Sequence, residues 1–188
     1  MMSDLWVFGY GSLMWRPGFE YEECFVGELQ GYHRALCVYS YVHRGTEETP
    51  GLVLGLDDGG SSMGMVFRVA AENRDAVLQY LREREQVTMV YLERSGPVTI
   101  SDEQGNRDGQ IVEAVTYVAD HQHIQYAGKL PMDEQVRIVS AGHGKAGPNI
   151  DYVLNTVDHL RDIEIEDTEL FKLAGRLRAP TRFSEHFE

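Results

Sequence analysis

The distribution of strand-like and helix-like patterns along this chain constrains its fold more than any other feature. The first two-thirds of the 188 residues is rich in β-branched, aromatic and aliphatic residues between Gly, Asp and Ser, which predicts strands and turns. From Met132 onward, apolar residues recur at helical spacing. Because strands and helices are segregated rather than alternating, the pattern predicts the α+β class and disfavours a doubly wound parallel sheet.

The pattern also gives approximate positions for the elements. Strands are predicted at residues 5–10, 25–43, 51–58, 62–70, 87–100 and 109–119, and helices at 133–143, 149–163 and 167–179. A further helix begins at Ala71, with an apolar stripe at Ala76, Val77, Tyr80 and Leu81. We expect residues 1–188 to form a single domain, with 179–188 as a peripheral tail.

Composition limits the partners and the compartment. Lys and Arg number 17 against 30 Asp and Glu, so the net charge is −13, which disfavours nucleic acid and anionic membrane surfaces as partners. Neither a signal peptide nor a transmembrane run is predicted. Cys24 and Cys37 lie in strand-like segments without CxxC spacing. We expect buried free thiols and a cytoplasmic protein.

Three familiar motifs are weak or missing. "GHGKAG", at 142–147, matches GxGxxG, but a helix rather than a strand is predicted before it, so we interpret it as a helix–helix connection. His121 and His123 lie close together without an evident third ligand, which favours a solvated turn over a metal site. The absence of GxSxG gives no support to a hydrolase with a nucleophile elbow.

The end of the central helix, "YLREREQ", carries a candidate catalytic carboxylate. At 100° per residue, Glu83 and Glu85 fall on opposite flanks of the apolar arc, so either one can border the core. The helix dipole, burial and a neighbouring carboxylate would all raise the pKa of such a group towards a value suited to proton transfer, while Arg84 would oppose them. The alternative is a solvated helix end with alternating charges.

The stretch "VFGYGSLMW", residues 7–15, is a candidate ligand loop. Gly9 and Gly11 allow positive φ and close approach to the backbone. Successive N–H groups in such a turn form a concavity for an anion or a carbonyl oxygen. Taken alone, a tight turn at the end of a strand explains these residues equally well.

Taken together, four segments resemble the γ-glutamylcyclotransferases, most closely the ChaC-type enzymes that act on glutathione. They are "FGYGSLMWRPGF" at 8–19, "HRG" at 43–45, "YLREREQ" at 80–86 and "AGPNIDYVLNT" at 146–156. The resemblance extends over roughly residues 6–177. It implies a γ-glutamylcyclotransferase-like fold, with a mixed β-barrel or sheet core, a central helix and C-terminal helices.

The resemblance also implies a set of site residues. It places the catalytic glutamate on Glu85 and a substrate-contacting tyrosine on Tyr152. Arg44 is expected to pair with a substrate carboxylate. The backbone donors are expected around Tyr10, Gly11, Ser12 and Leu13. The expected partner is a small γ-glutamyl molecule, with no cofactor and no metal.

The reaction implied by the resemblance is an intramolecular acyl transfer. The α-amine of a γ-glutamyl group attacks its own γ-carbonyl, forming 5-oxoproline and releasing the attached amine, which is Cys-Gly when the substrate is glutathione. This reaction needs no serine or cysteine nucleophile, in agreement with the absence of a GxSxG motif from the sequence. The alternatives are a cyclotransferase for other γ-glutamyl amines or dipeptides, and a non-catalytic regulator associated with cation transport.

Overall fold

A closed five-stranded β-barrel forms the body of the molecule. The computed structural model describes residues 3–85, 89–103 and 105–179. The barrel strands are β1 (Leu5–Gly9), β2 (Glu23–Ser40), β3 (Gly51–Val69), β4 (Tyr91–Ser101) and β5 (Ile111–Ala119). Their order around the barrel is β1-β3-β2-β4-β5, and β1 closes it by pairing in parallel with β5. The other neighbouring pairs are antiparallel.

Strand β3 corrects one prediction from the sequence. The segments 51–58 and 62–70 were expected to be separate strands, but they form one strand of 19 residues paired along β2. Gly59 and Gly60 have φ of 90° and 71°, and the pairing register shifts opposite them, between Gln30 and Tyr32. The glycines therefore produce a bulge in a continuous strand rather than a chain reversal.

Within the described residues, four α-helices complete the fold, as the segregated pattern predicts. They are α1 (Arg74–Glu85), α2 (Met132–Ala141), α3 (Asn149–Asp162) and α4 (Thr168–Arg178). The strands β6 (His143–Gly144) and β7 (Gly147–Pro148) form a small hairpin between α2 and α3, so "GHGKAG" does connect two helices. Residues 86–88 and the predicted tail from 180 onward lie outside the described residues.

Helix α1 packs its apolar face against one end of the barrel. Val77 and Leu81 are buried in a cluster with Val7, Phe67 and Tyr117. Ala76, predicted on the same stripe, is exposed. Burial of this face fixes the last turn of α1 beside the end of β1.

The three C-terminal helices cover another part of the barrel. Val153, Val157 and Leu160 of α3 are buried in the same core cluster as Leu52 and Leu54 of β3. Among the described residues, no helix has both the length and the apolar character needed to cross a membrane. The packing of α3 on β3 brings a second helix to the barrel end that α1 also reaches.

Both cysteines are free thiols, as expected. Cys37 is buried and Cys24 is partly buried. Burial raises the pKa of Cys24 to about 11 and that of Cys37 to about 12. Both thiols therefore stay protonated at neutral pH, and neither supplies a thiolate nucleophile.

Candidate active site

A cavity opens at the barrel end where the chain leaves β1. It encloses about 470 Å³ of empty space, including the part open to solvent. Every predicted site residue except Arg44 lies on its wall: Tyr10, Gly11, Ser12, Leu13, Glu85 and Tyr152. The rest of the wall consists of Phe8, Leu54, Tyr91 and Tyr117. One cavity thus collects residues that lie far apart in the sequence.

The loop after β1 turns its backbone towards this cavity. A Cβ at Gly9 would lie 2.9 Å from Leu13 Cβ, so glycine allows the chain to fold back into the short 3₁₀ turn Ser12–Met14. Positive φ, which glycine allows, is not adopted at Gly9 or Gly11. Within the described part of the chain, the N–H groups of Gly11, Ser12 and Leu13 have no acceptor. They are donors available to an anion or a carbonyl oxygen.

The segment that follows the loop packs against α1. Gly18 has φ of 74°, and a Cβ there would overlap the hydroxyl of Tyr80. The ring of Phe19 meets the ring of Tyr80 edge-on, with centroids 6.2 Å apart. The "WRPGF" stretch therefore runs along α1 and brings the loop close to the end of that helix.

The structure separates the two candidate glutamates. Glu83 is exposed, and its carboxylate accepts a hydrogen bond from Gln79 Nε2 at 2.9 Å. The side chain of Glu85 is only 19% exposed and lies on the cavity wall. Burial raises the pKa of Glu85, and the nearby Arg84 guanidinium opposes this rise. Glu85 therefore lies on the cavity wall with a raised pKa, as suits a group that transfers a proton.

Arg84 connects the carboxylate with the loop. Its Nε lies 3.1 Å from Glu85 Oε1, and its Nη2 donates to Ser12 Oγ at 2.8 Å. Its Nη1 donates to the carbonyl oxygen of Arg16 at 2.7 Å. The sequence indicated only that Arg84 would oppose a raised pKa, because its contacts depend on how the loop folds. The guanidinium fixes the distance between Glu85 and the loop.

Two tyrosine hydroxyls meet the same residue of β3. Tyr152 Oη accepts from the N–H of Leu54 at 3.0 Å, and the Tyr91 hydroxyl donates to the Leu54 carbonyl at 2.7 Å. Burial raises the pKa of Tyr152 to about 12 and that of Tyr91 well above its usual value. Tyr152 therefore keeps a proton that it can donate within the cavity. Tyr91, at the start of β4, carried no motif that marked it as a site residue.

The first turn of α3 determines where Tyr152 lies. Asn149 is fully buried; its Oδ1 accepts from the N–H of Leu52 at 2.7 Å and its Nδ2 donates to the Leu52 carbonyl at 2.8 Å. Three residues later on the same helix face, Tyr152 reaches Leu54, two residues further along β3. The Asn-x-x-Tyr spacing thus matches the repeat of the strand. The segment 146–156 was singled out from the sequence, but nothing in its pattern indicated this role of Asn149.

Arg44, the residue predicted to pair with a substrate carboxylate, lies beside the cavity residue Tyr152. It does not reach the described wall of the cavity. Its Nη1 donates to the carbonyl oxygens of Ala146 at 2.7 Å and Pro148 at 3.2 Å, and its guanidinium carbon lies 5.4 Å from the centroid of the Tyr152 ring. The carbonyl groups of the α2–α3 hairpin thus hold the guanidinium beside this ring, outside the described wall of the cavity.

The histidine pair lies in the turn that follows β5. His121 Nε2 lies 2.7 Å from Asp57 Oδ1, and the His121 ring stacks on Tyr126 with centroids 4.3 Å apart. In the described ranges, no group of three His, Cys, Asp or Glu side chains is arranged to hold a metal ion. This cluster joins the turn after β5 to strand β3.

The fold that carries this cavity is that of the γ-glutamyl cyclotransferases. A crystal structure of a yeast γ-glutamyl cyclotransferase specific to glutathione matches with a TM-score of 0.79 at 24% identity. The match covers 93% of this chain and 96% of that chain. The family model for ChaC-like proteins matches residues 5–179. The chain therefore belongs to the ChaC-like family, which confirms the resemblance stated from the sequence.

Curated relatives support the same family. The glutathione-specific γ-glutamylcyclotransferase of Escherichia coli (strain K12) is 32% identical over 168 residues, 89% of this chain and 70% of that protein. Glutathione-specific γ-glutamylcyclotransferase 1 of Danio rerio is 33% identical over 184 residues, 96% of this chain and 92% of that protein. The Homo sapiens enzyme of the same description is 35% identical over 159 residues.

Proposed function

We propose that this protein cleaves glutathione into 5-oxoproline and Cys-Gly. The observation that carries the proposal is that the buried Glu85 carboxylate shares one cavity with the backbone N–H groups of Gly11, Ser12 and Leu13, which have no acceptor among the described residues. The names of the curated relatives support glutathione as the substrate.

Binding in the cavity prepares the substrate for cyclisation. Because the γ-glutamyl group supplies its own nucleophile, the protein has to hold the α-nitrogen close to the γ-carbonyl carbon. Confinement between Phe8, Leu54 and the tyrosine side chains provides this folded conformation. Orientation of this kind lowers the entropic part of the barrier.

Glu85 moves the proton. Its carboxylate takes a proton from the α-nitrogen as that nitrogen bonds to the γ-carbonyl carbon, and returns a proton to the cysteinyl nitrogen as the old amide bond breaks. Burial raises the pKa of Glu85 and so reduces the difference between its pKa and that of the substrate α-amine. Arg84 limits this rise and holds the carboxylate beside the loop.

The loop stabilises the charge that develops on the substrate. The N–H groups from Gly11 to Leu13 are the proposed donors to the oxygen that becomes negative as the tetrahedral intermediate forms. The Tyr152 hydroxyl, also on the cavity wall, orients the substrate. We assign Arg44 a supporting role behind the Tyr152 ring, since its guanidinium lies over that ring.

The proposed compartment is the cytoplasm, where free thiols persist. Cys24 and Cys37 are both free, as suits a reducing compartment. The net charge of −13 favours a small-molecule partner over nucleic acid or an anionic membrane.

Release of 5-oxoproline tests the proposal. The purified protein is incubated separately with glutathione, with γ-glutamyl-alanine and with a γ-glutamylamine, and 5-oxoproline is quantified. We expect glutathione to give the highest kcat/KM. A higher kcat/KM with either of the other substrates refutes the glutathione assignment and keeps the reaction class. No 5-oxoproline from any of the three refutes the enzyme.

A further inference from the structure

A buried arginine lies behind the loop that lines the cavity. The side chain of Arg34, on β2, is 3% exposed. Its Nε donates to the carbonyl oxygen of Tyr10 at 2.6 Å, its Nη2 to the carbonyl oxygen of Met63 at 2.5 Å, and its Nη1 to Asp167 Oδ2 at 3.1 Å. The guanidinium thus joins the loop, β3 and the start of α4.

The contact with Tyr10 determines where the next N–H group points. The peptide bond between Tyr10 and Gly11 is trans, so its carbonyl and its N–H point in opposite directions. Because the carbonyl faces Arg34, the N–H of Gly11 faces away from Arg34. Gly11 lies on the wall of the candidate site, whereas Arg34 lies on the wall of a second cavity. The carbonyl side of this peptide group therefore faces Arg34, and its N–H side, turned away from Arg34, belongs to a residue that lines the substrate cavity.

The charge of Arg34 also acts on this peptide. A cation that donates to an amide oxygen polarises the amide and strengthens its N–H as a donor. Asp167 offsets the cost of burying the guanidinium, and its other oxygen accepts from the N–H of Leu170 at 3.0 Å at the start of α4. Arg34 therefore binds both Asp167, at the start of α4, and the Tyr10 carbonyl, in the loop that lines the site.

We infer that Arg34 is a positioning residue: through the Tyr10–Gly11 peptide it orients and polarises the Gly11 N–H towards the reacting carbonyl oxygen. This inference rests on the proposed function. The competing account gives Arg34 only the task of holding α4 on the barrel, which predicts a loss of stability and no change in the turnover of folded protein.

The first test needs no substrate. Arg34→Met alone would leave Asp167 buried without its cation, so the variant compared is Arg34→Met/Asp167→Asn, with Asp167→Asn as its matched control. Asparagine still caps α4 well. Loss of the hydrogen bond to the Tyr10 carbonyl is expected to move the ¹⁵N resonance of the Gly11 amide upfield in the double variant relative to the control. An unchanged Gly11 resonance in folded protein overturns the inference.

The second test separates kcat from KM. Relative to Asp167→Asn, we expect the double variant to lose about 10- to 100-fold in kcat per folded molecule with little change in KM, because the donor acts on charge that develops in the transition state. Arg34→Lys, which keeps a cation, is expected to recover part of the kcat that the double variant loses. Equal kcat in the double variant and its control overturns the inference.

A control elsewhere on the barrel guards against a general effect of removing an arginine. Arg68 on β3 pairs with Asp4 and Glu23, away from the cavity wall. We expect Arg68→Met to keep kcat per folded molecule within about 2-fold, as for a residue that affects stability alone. If it lowers kcat as much as the Arg34 substitution does, the specific role of Arg34 is refuted.

Failure of the proposed function would look different. A wild-type protein that releases no 5-oxoproline refutes that function, while the Gly11 resonance still reports whether Arg34 orients the peptide. An active wild type with an unchanged Gly11 resonance refutes the inference about Arg34 and leaves the proposed function standing.

Discussion

Two largely buried carboxylates, Asp57 and Glu85, have very different surroundings. The Asp57 side chain is 11% exposed and accepts from the N–H of Asp58 at 2.9 Å and from the Tyr126 hydroxyl, which lies 3.0 Å from each of its oxygens. His121 Nε2 completes the set at 2.7 Å. The Glu85 side chain is 19% exposed, and Arg84, with Nε 3.1 Å from Glu85 Oε1, is its ion-pair partner within the described ranges.

This difference shows how burial serves stability in one place and chemistry in another. Hydrogen bonds around Asp57 offset its desolvation and join β3 to the turn after β5. Each carboxylate lines a cavity, but Glu85 has only the Arg84 ion pair among the described residues, so much of its desolvation is not offset, and its pKa is raised. A buried carboxylate with several partners therefore stabilises the fold, and one with a single partner beside a cavity can exchange a proton with a ligand.

Replacing Glu85 tests this contrast with the largest expected effect. Glu85→Gln keeps the shape of the side chain and removes its ability to take a proton. We expect kcat for 5-oxoproline release to fall at least about 100-fold, as for loss of a general acid–base group. Far-UV and near-UV circular dichroism should show an unchanged fold.

Glu83→Gln is the matched control on the same helix. Glu83 is exposed and accepts a hydrogen bond from Gln79. We expect its kcat to stay within about 2-fold of wild type, as for an exposed residue outside the site. If Glu83→Gln is inactive and Glu85→Gln is active, the base has been assigned to the wrong glutamate.

Removing the Tyr152 hydroxyl should have a smaller effect. Tyr152→Phe loses the proposed substrate contact and leaves the N–H of Leu54 without this acceptor. We expect kcat/KM to fall about 10-fold, as for the loss of one hydrogen bond to a partly charged group. The control is Tyr39→Phe, at a ring that stacks on Tyr41. Equal kcat/KM in the two variants would remove Tyr152 from the site.

Replacing Asp57 should lower stability and leave activity unchanged, the opposite of the effect expected for Glu85. Asp57→Asn replaces one acceptor oxygen with a donor that faces His121 or Tyr126. We expect the free energy of unfolding, measured with urea, to fall by about 1–3 kcal/mol. The kcat of folded protein should be unchanged. A large loss of kcat at wild-type stability would place Asp57 in the catalytic machinery and end the contrast with Glu85.

Much of the fold could be predicted from local patterns. Apolar spacing along the chain identified α1 and the three C-terminal helices, because a helix face is defined by residues within a few turns. The continuous β3 could not be predicted, because glycines such as Gly59 suit a turn and a bulge equally well. The pairing of β2 along β3 decides between the two, and pairing is a long-range property.

Site residues that lie within short sequence motifs could be predicted. Contacts between residues that are distant in the sequence could not. The resemblance of short segments to the family indicated the residues that line the cavity. Helical geometry alone did not decide whether Glu83 or Glu85 borders the core. The structure separates them because Arg84 reaches from the helix to Ser12 in a loop 72 residues earlier. The position of Arg44 depends on the α2–α3 hairpin, and the role of Arg34 on a carbonyl of the loop. No local pattern contains these contacts.

The pH dependence of stability should show the smallest effect. Burial raises the pKa of Glu85 in the folded state above its unfolded value, so the folded state binds this proton more tightly. The contribution of Glu85 to wild-type stability therefore falls as pH rises from the ordinary carboxyl range near pH 4 through the raised pKa. The amide side chain of the Glu85→Gln variant does not titrate in this range. The Tm of Glu85→Gln minus that of wild type should increase over this interval, and a decrease would contradict the raised pKa.

The most direct measurement is a crystal structure of the inactive Glu85→Gln variant with glutathione. The account predicts that the γ-glutamyl group lies in the cavity, with an oxygen within hydrogen-bonding distance of the N–H groups of Gly11 to Leu13 and its α-nitrogen beside residue 85. Glutathione seated instead in the second cavity, beside Lys129 and Leu130, would contradict it.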